Sequence, residues 1–137
     1  MASFLFKTEP SAYAFGDLVR ERRTTWSGIR NNTALIHLRS VRKGDTVVIY
    51  HSGKDKAAVG LATAASAPYP DPTLAEPKHV VVDLEPVRAF KRAVALATFR
   101  ADPVLETTEL VRISRLSVMP LTAEHHTRVL KRAGVMA

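Results

Sequence analysis

Two spacings of apolar residues run through this chain, and each marks a different kind of element. Phe4, Leu5 and Phe6 form an apolar run within residues 3–7, closed by Glu9-Pro10, which predicts a short buried strand. From Ser11 to about Arg22, Phe15, Leu18 and Val19 fall on one face of a predicted helix. The polar stretch around Trp26 reads as a loop. Beyond it, Asn31 or Asn32 is placed to cap a second helix, where Ala34, Leu35 and Leu38 recur at helical spacing as far as Arg39.

After Arg39 the rhythm changes. Lys43-Gly44-Asp45 is a turn, and Thr46-Val47-Val48-Ile49-Tyr50-His51 is a β-branched strand. Ser52-Gly53-Lys54-Asp55 turns the chain back, so residues 57–67 are the expected hairpin partner. Tyr69-Pro70-Asp71-Pro72-Thr73 reads as a rigid extended loop, because each proline fixes its own φ and restricts the residue before it. Residues 79–90 predict a further strand, and the unbroken Val80-Val81-Val82 suits burial on both faces. Residues 95–101 read as a helical turn ending at Asp102-Pro103, and residues 110–119 as a last strand stopped by Pro120. Thr122 and Glu124 open a C-terminal helix that runs to Arg132 and ends at Gly134. The sum is an α+β fold, a small, partly closed mixed β-barrel with short peripheral helices. The valine-rich runs lack a helical period, which excludes an all-helical bundle.

Composition narrows the class. The length fits one domain, residues 1–137, around a single core. Cysteine is absent, which excludes disulfides, thiol catalysis and cysteine-ligated zinc, and is compatible with the reducing cytoplasm expected here. Met1 to Lys7 lacks a basic leader segment and a long apolar run, so no signal peptide is expected. No apolar segment is long enough for a bilayer, and no membrane partner is expected. Twenty Lys and Arg against thirteen Asp and Glu give a net charge of +7, which points to a polyanion, above all nucleic acid. His125-His126 does not suit a metal, because adjacent helical positions diverge by ~100° and cannot share one ion. Neither a metal nor a cofactor is expected.

Candidate chemistry concentrates in Thr24-Thr25-Trp26-Ser27-Gly28-Ile29-Arg30-Asn31-Asn32. The only tryptophan of the chain stands there among hydrogen-bonding residues. A flat apolar face beside such groups suits a planar, polar ligand such as a nucleobase; plain core packing is the competing reading. Arg20, Arg22 and Arg23 cluster just before it, placed either for phosphate contact or as a solvated helix end.

Several separate pieces then coincide with one family. Phe6-Lys7-Thr8-Glu9-Pro10 resembles the opening of EVE domains, which belong to the PUA-like fold. The Thr24 to Asn31 segment resembles that family's tryptophan loop, and Lys43-Gly44-Asp45 with Tyr50-His51-Ser52 its central strand. Tyr69-Pro70-Asp71-Pro72 and Arg115-Leu116-Ser117-Val118 resemble later landmarks. The likeness runs from about Phe4 to about Leu130. It implies a PUA-like barrel related to the YTH readers of methylated RNA, and binding of modified cytosines, 5-methyl or 5-hydroxymethyl, in DNA.

On that footing a base flipped from the duplex would lie in an aromatic and polar pocket. Trp26 would be the stacking wall, Ser27 and Gly28 would offer backbone groups at close range, and Asn31 would read the Watson–Crick edge. Arg30 would hold a phosphate or the base carbonyl, alongside phosphate contacts from Arg20, Arg22 and Arg23. Lys7, Thr8, Glu9, Tyr50, His51 and Ser52 would line the opposite side. PUA-like folds also include amidohydrolases acting on acylated cytidine, with Lys, Thr and acid in the pocket, and Lys7, Thr8 and Glu9 supply those types. Strand alternation would point Thr8 away from the other two, which weakens that reading. RNA is a further alternative to DNA, and a nuclease or helicase partner stays unassigned.

Overall fold

The computed structural model describes residues 1–135. Among them, seven strands form one sheet. They are β1 (Ser3–Thr8), β2 (Thr24–Trp26), β3 (Thr46–His51), β4 (Ala57–Ala64), β5 (Tyr69–Pro70), β6 (Val80–Ala95) and β7 (Val118–Leu121). The sheet order is β2-β6-β4-β3-β1-β7, with β5 also paired to β6. Only β1 and β3 run parallel; the other pairings are antiparallel. Five α-helices, α1 (Phe15–Glu21), α2 (Asn32–Arg39), α3 (Leu96–Ala101), α4 (Glu109–Arg112) and α5 (Ala123–Ala133), and a 3-10 turn at Leu105–Thr107 accompany the sheet.

The sheet is curled. β2 and β1 are separated by three strands in the order, which in a flat sheet would put them about 19 Å apart. Yet the Trp26 ring of β2 lies 5.7 Å from the Phe6 ring of β1. Such closeness requires the strands to wrap round a shared interior, where Phe6, Ile49, Leu84 and Val118 are fully buried. Helix α2 bridges the open side of this half-barrel, touching both β6 and β7. α5 lies on β6 and β7, with Val129 and Ala133 turned inward.

Several elements depart from the pattern-based expectation. The Trp26 stretch is not a loop: Thr24, Thr25 and Trp26 pair with Leu84, Asp83 and Val82 of β6. α1 begins at Phe15 rather than Ser11, and Val19 on it is 48% exposed. The proline segment contributes β5 instead of running as loop throughout. Residues 110–119 are not one strand; Leu110 belongs to the single-turn helix α4, and β7 starts only at Val118. Pro120 does not stop that strand. It sits inside β7, opposite Phe4, on an edge strand whose outer side needs no ladder donor. α5 begins as expected, but the reciprocal cap of Thr122 is made with His125 rather than with an acid. The His125 imidazole is committed to Thr122 N–H at 3.2 Å and to the Thr107 hydroxyl at 2.7 Å.

Candidate functional site

Curling brings the C-terminal end of β1 up to β2, and a cleft of about 260 Å³ opens between them. Lys7 and Thr8 border it from β1, and Tyr13 from the turn that leads into α1. Thr24, Thr25 and Trp26 border it from β2, followed by Ser27 and Ile29. Strict alternation would separate Lys7 from Thr8, yet both reach the cleft, which lies at the strand's end.

Trp26 serves two purposes. Its ring is only 7% exposed, packed at 45° against Phe6 and nearly perpendicular to Tyr13, whose ring centre is 6.0 Å away. It is therefore part of the core as well as the wall of the cleft, not a plate presented on a free loop. Gly28 has φ +80° with open space where a Cβ would stand, but it lies between Ser27 and Ile29 without itself bordering the cleft.

Hydrogen bonds set the polarity of the other walls. The Lys7 ammonium donates to the Ser114 carbonyl at 2.6 Å and lies 5.9 Å from the Tyr50 ring centre; half-burial lowers its pKa. The Thr8 hydroxyl donates to the Tyr13 carbonyl at 2.6 Å. The Tyr13 hydroxyl donates to the Glu21 carboxylate at 2.6 Å. Burial, then the Glu21 contact, raises the Tyr13 pKa.

The remaining expected pocket residues go elsewhere. Glu9 is exposed, and its carboxylate accepts the N–H and hydroxyl of Ser11, the hydroxyl bond leading the causes that lower its pKa. Tyr50 and His51 sit on β3, which lies between β1 and β4 and is buried almost throughout. Tyr50 is 3% exposed, and burial raises its pKa. The His51 imidazole is held on both sides: Phe15 N–H donates to Nε2 at 3.0 Å, and Nδ1 meets Asp55 at 3.2 Å. Ser52 extends the ladder, its N–H donating to the Thr8 carbonyl. None of these four borders the cleft.

Asn31 is the cap of α2, its Oδ1 accepting the Ala34 N–H at 3.0 Å, and it does not border the cleft. Of the arginines, Arg20 pairs with Asp17, and Arg23 pairs with Asp83 at 2.9 Å and Glu85 at 3.5 Å. Among the described residues Arg22 and Arg30 have no such ion pair, and both are exposed. Pattern reading missed Tyr13, Thr24, Thr25 and Ile29 as wall residues. Only the last three had a signal, their adjacency to Trp26; Tyr13 reaches the cleft through the tertiary fold.

The EVE domain model matches residues 2–132. Human thymocyte nuclear protein 1 is 29% identical, the alignment covering 93% of this chain and 72% of that protein. The NMR structure of Rpa0253 from Rhodopseudomonas palustris superposes with a TM-score of 0.95 at 38% identity, covering 100% of this chain and 96% of that one. The crystal structure of human THYN1 protein in complex with 5-methylcytosine-containing DNA gives a TM-score of 0.89 at 27% identity, with 100% of both chains covered.

Proposed function

This chain belongs to the EVE domain family, and from that premise we propose that it is a non-catalytic module that binds DNA bearing a modified cytosine. The 5-methyl or 5-hydroxymethyl base is flipped out of the duplex and held in the Trp26 cleft. The observation that carries this reading is the cleft itself, bordered by the indole, by Tyr13 with its ring nearly perpendicular to it, and by Lys7, Thr8 and Ser27. Its likeness in fold to a protein solved with 5-methylcytosine-containing DNA supports the choice of ligand. The cleft's about 260 Å³ is at the small end of ligand pockets, which run from ~300 Å³ upward, and suits one base.

The energetics are compatible. Unstacking and unpairing a base costs a few kcal/mol. Stacking returns roughly 1–3 kcal/mol, and phosphate contacts contribute the rest. Arg22 and Arg30 are the better placed phosphate ligands, since Arg20 and Arg23 already face carboxylates. The amidohydrolase alternative finds less support. The Thr8 proton goes to a backbone carbonyl, which cannot remove it as a general base does, and among the described residues no titratable side chain bonds to that hydroxyl.

Titrating matched duplexes that carry cytosine or 5-methylcytosine at one position, while following emission of the single tryptophan, tests the proposal. One methyl in an apolar pocket is worth about 10- to 200-fold, so 5-methylcytosine should bind at least tenfold tighter and shift the Trp26 emission. Trp26→Phe, which keeps the core filled, should weaken binding on the order of tenfold. Equal affinity for the two duplexes, or unchanged emission at saturation, would overturn it.

A further inference from the structure

Lys7 does more than border the cleft. Its ammonium donates to the Ser114 carbonyl at 2.6 Å, and its backbone N–H donates to the Ser117 carbonyl at 2.9 Å. The turn between α4 and β7 is thereby fastened at two points to a residue of the cleft wall. Its own bonds hold its shape. Ile113 N–H donates to the Glu109 carbonyl at 2.7 Å, and Leu116 N–H closes back on the Ile113 carbonyl at 3.1 Å. Leu116 is buried and anchors the turn, while Arg112, Ile113, Ser114 and Arg115 are exposed.

Nothing among the described residues uses what this turn presents. Arg112 and Arg115 make no ion pair there, not even with Glu106 or Glu109 on the same stretch. Ile113 leaves 44% of its surface in water. A lone exposed apolar side chain is ordinary. One set between two unpaired guanidinium groups, beside a base-sized cleft, matches the chemistry of an opened duplex. Taking a base out of the stack leaves an apolar gap between its neighbours, and phosphates run along either side of that gap. The β2 side of the cleft already has unpaired cations next to it in sequence, Arg22 before Thr24 and Arg30 after Ile29. Arg112 and Arg115 supply the counterpart on the β1 side.

We propose that residues 112–115 form a second DNA contact, in which Ile113 fills the gap left by the flipped base and Arg112 and Arg115 hold the phosphates beside it. This rests on the reading of the cleft as a base pocket, and it names the element that keeps the duplex open. Ile113 moves from water into the stack, and its burial offsets part of the cost of flipping. A single strand has no stack to repair, so the plug acts on duplex DNA alone.

The test uses a duplex with one 5-methylcytosine, the modified strand without its complement, and the variants Ile113→Ala, Arg112→Gln and Arg115→Gln beside the wild type. Ile113→Ala should weaken duplex binding about tenfold, the worth of burying one such side chain, and leave single-strand binding unchanged. The ratio of the two affinities does not depend on how much of the variant is folded, so a structural defect would not move it. Each arginine variant should flatten the salt dependence of duplex affinity by about one unit of log–log slope. An unchanged ratio in Ile113→Ala, or an unchanged slope in both arginine variants, overturns this inference alone when the wild type still prefers 5-methylcytosine to cytosine. Equal wild-type affinity for duplexes carrying those two bases overturns the base-pocket reading and this inference with it.

Discussion

Gly60 on β4 is a glycine because the Phe15 ring fills the space a side chain would need. A Cβ built there would stand 2.5 Å from that ring's Cζ. Phe15 opens α1 two residues after Tyr13, and its N–H is the one anchored on His51, so the contact helps to seat the turn that walls the cleft. Gly60→Ala should cost about 1–3 kcal/mol in urea unfolding, read as a lower midpoint with an unchanged slope. Unaltered stability would mean that Phe15 has room to move. At this scale the sequence was informative where a residue stands out from its neighbours. Trp26 and Ser27 stand out in a polar segment and do border the cleft. Asn31 has two readings, helix cap and base reader, and the structure shows it as the cap, outside the residues that border the cleft. His51 ends a strong strand, but its ring is committed to Phe15 and Asp55, partners that no local pattern names.

Asp102 ties two elements together. Its side chain is wholly buried after α3 and accepts from Val104 N–H at 2.8 Å, from the Arg128 Nε and from Arg132 at 2.8 Å, both on α5. Burial alone would raise its pKa; Arg132, the Val104 and Leu105 N–H groups and Arg128 outweigh burial and bring it down to about 2. A carboxyl whose folded pKa lies below its ordinary 3.8 contributes stability above pH ~4, and that contribution is lost as pH falls toward 2. Asp102→Ala should therefore cost about 3–5 kcal/mol at pH 7, with the gap to wild type narrowing between pH 4 and pH 2 in parallel thermal melts. A gap independent of pH would show that the carboxylate's charge is not what holds α5. Elements were legible where their own residues decide them. β3 matches its β-branched run from Thr46 to His51, and α2 its apolar spacing and its cap. β2 was hidden because three polar-flanked residues become a strand only through pairing with β6, and β7 because its proline is tolerated on an outer edge.

The whole molecule is a mixed sheet curled until its second aromatic face, at Trp26, meets its first, at Phe6, and the cleft is the gap that the closure leaves. Barrel class followed from strand number and turn spacing, but which strand ends would meet is a property of the curl and could not be read from local pattern. The net charge of +7 supplies attraction to a polyanion over the whole surface and says nothing about where a base would enter. The central claim is that a single modified cytosine leaves its duplex and enters beside the indole. It is tested most directly by mapping backbone amide shifts as a duplex with one 5-methylcytosine is added, against the same duplex unmodified. The account predicts that the difference between the two maps centres on Tyr13 and on Thr24 to Ile29. Differences confined to the far side of the sheet, around β7 and α5, would contradict it.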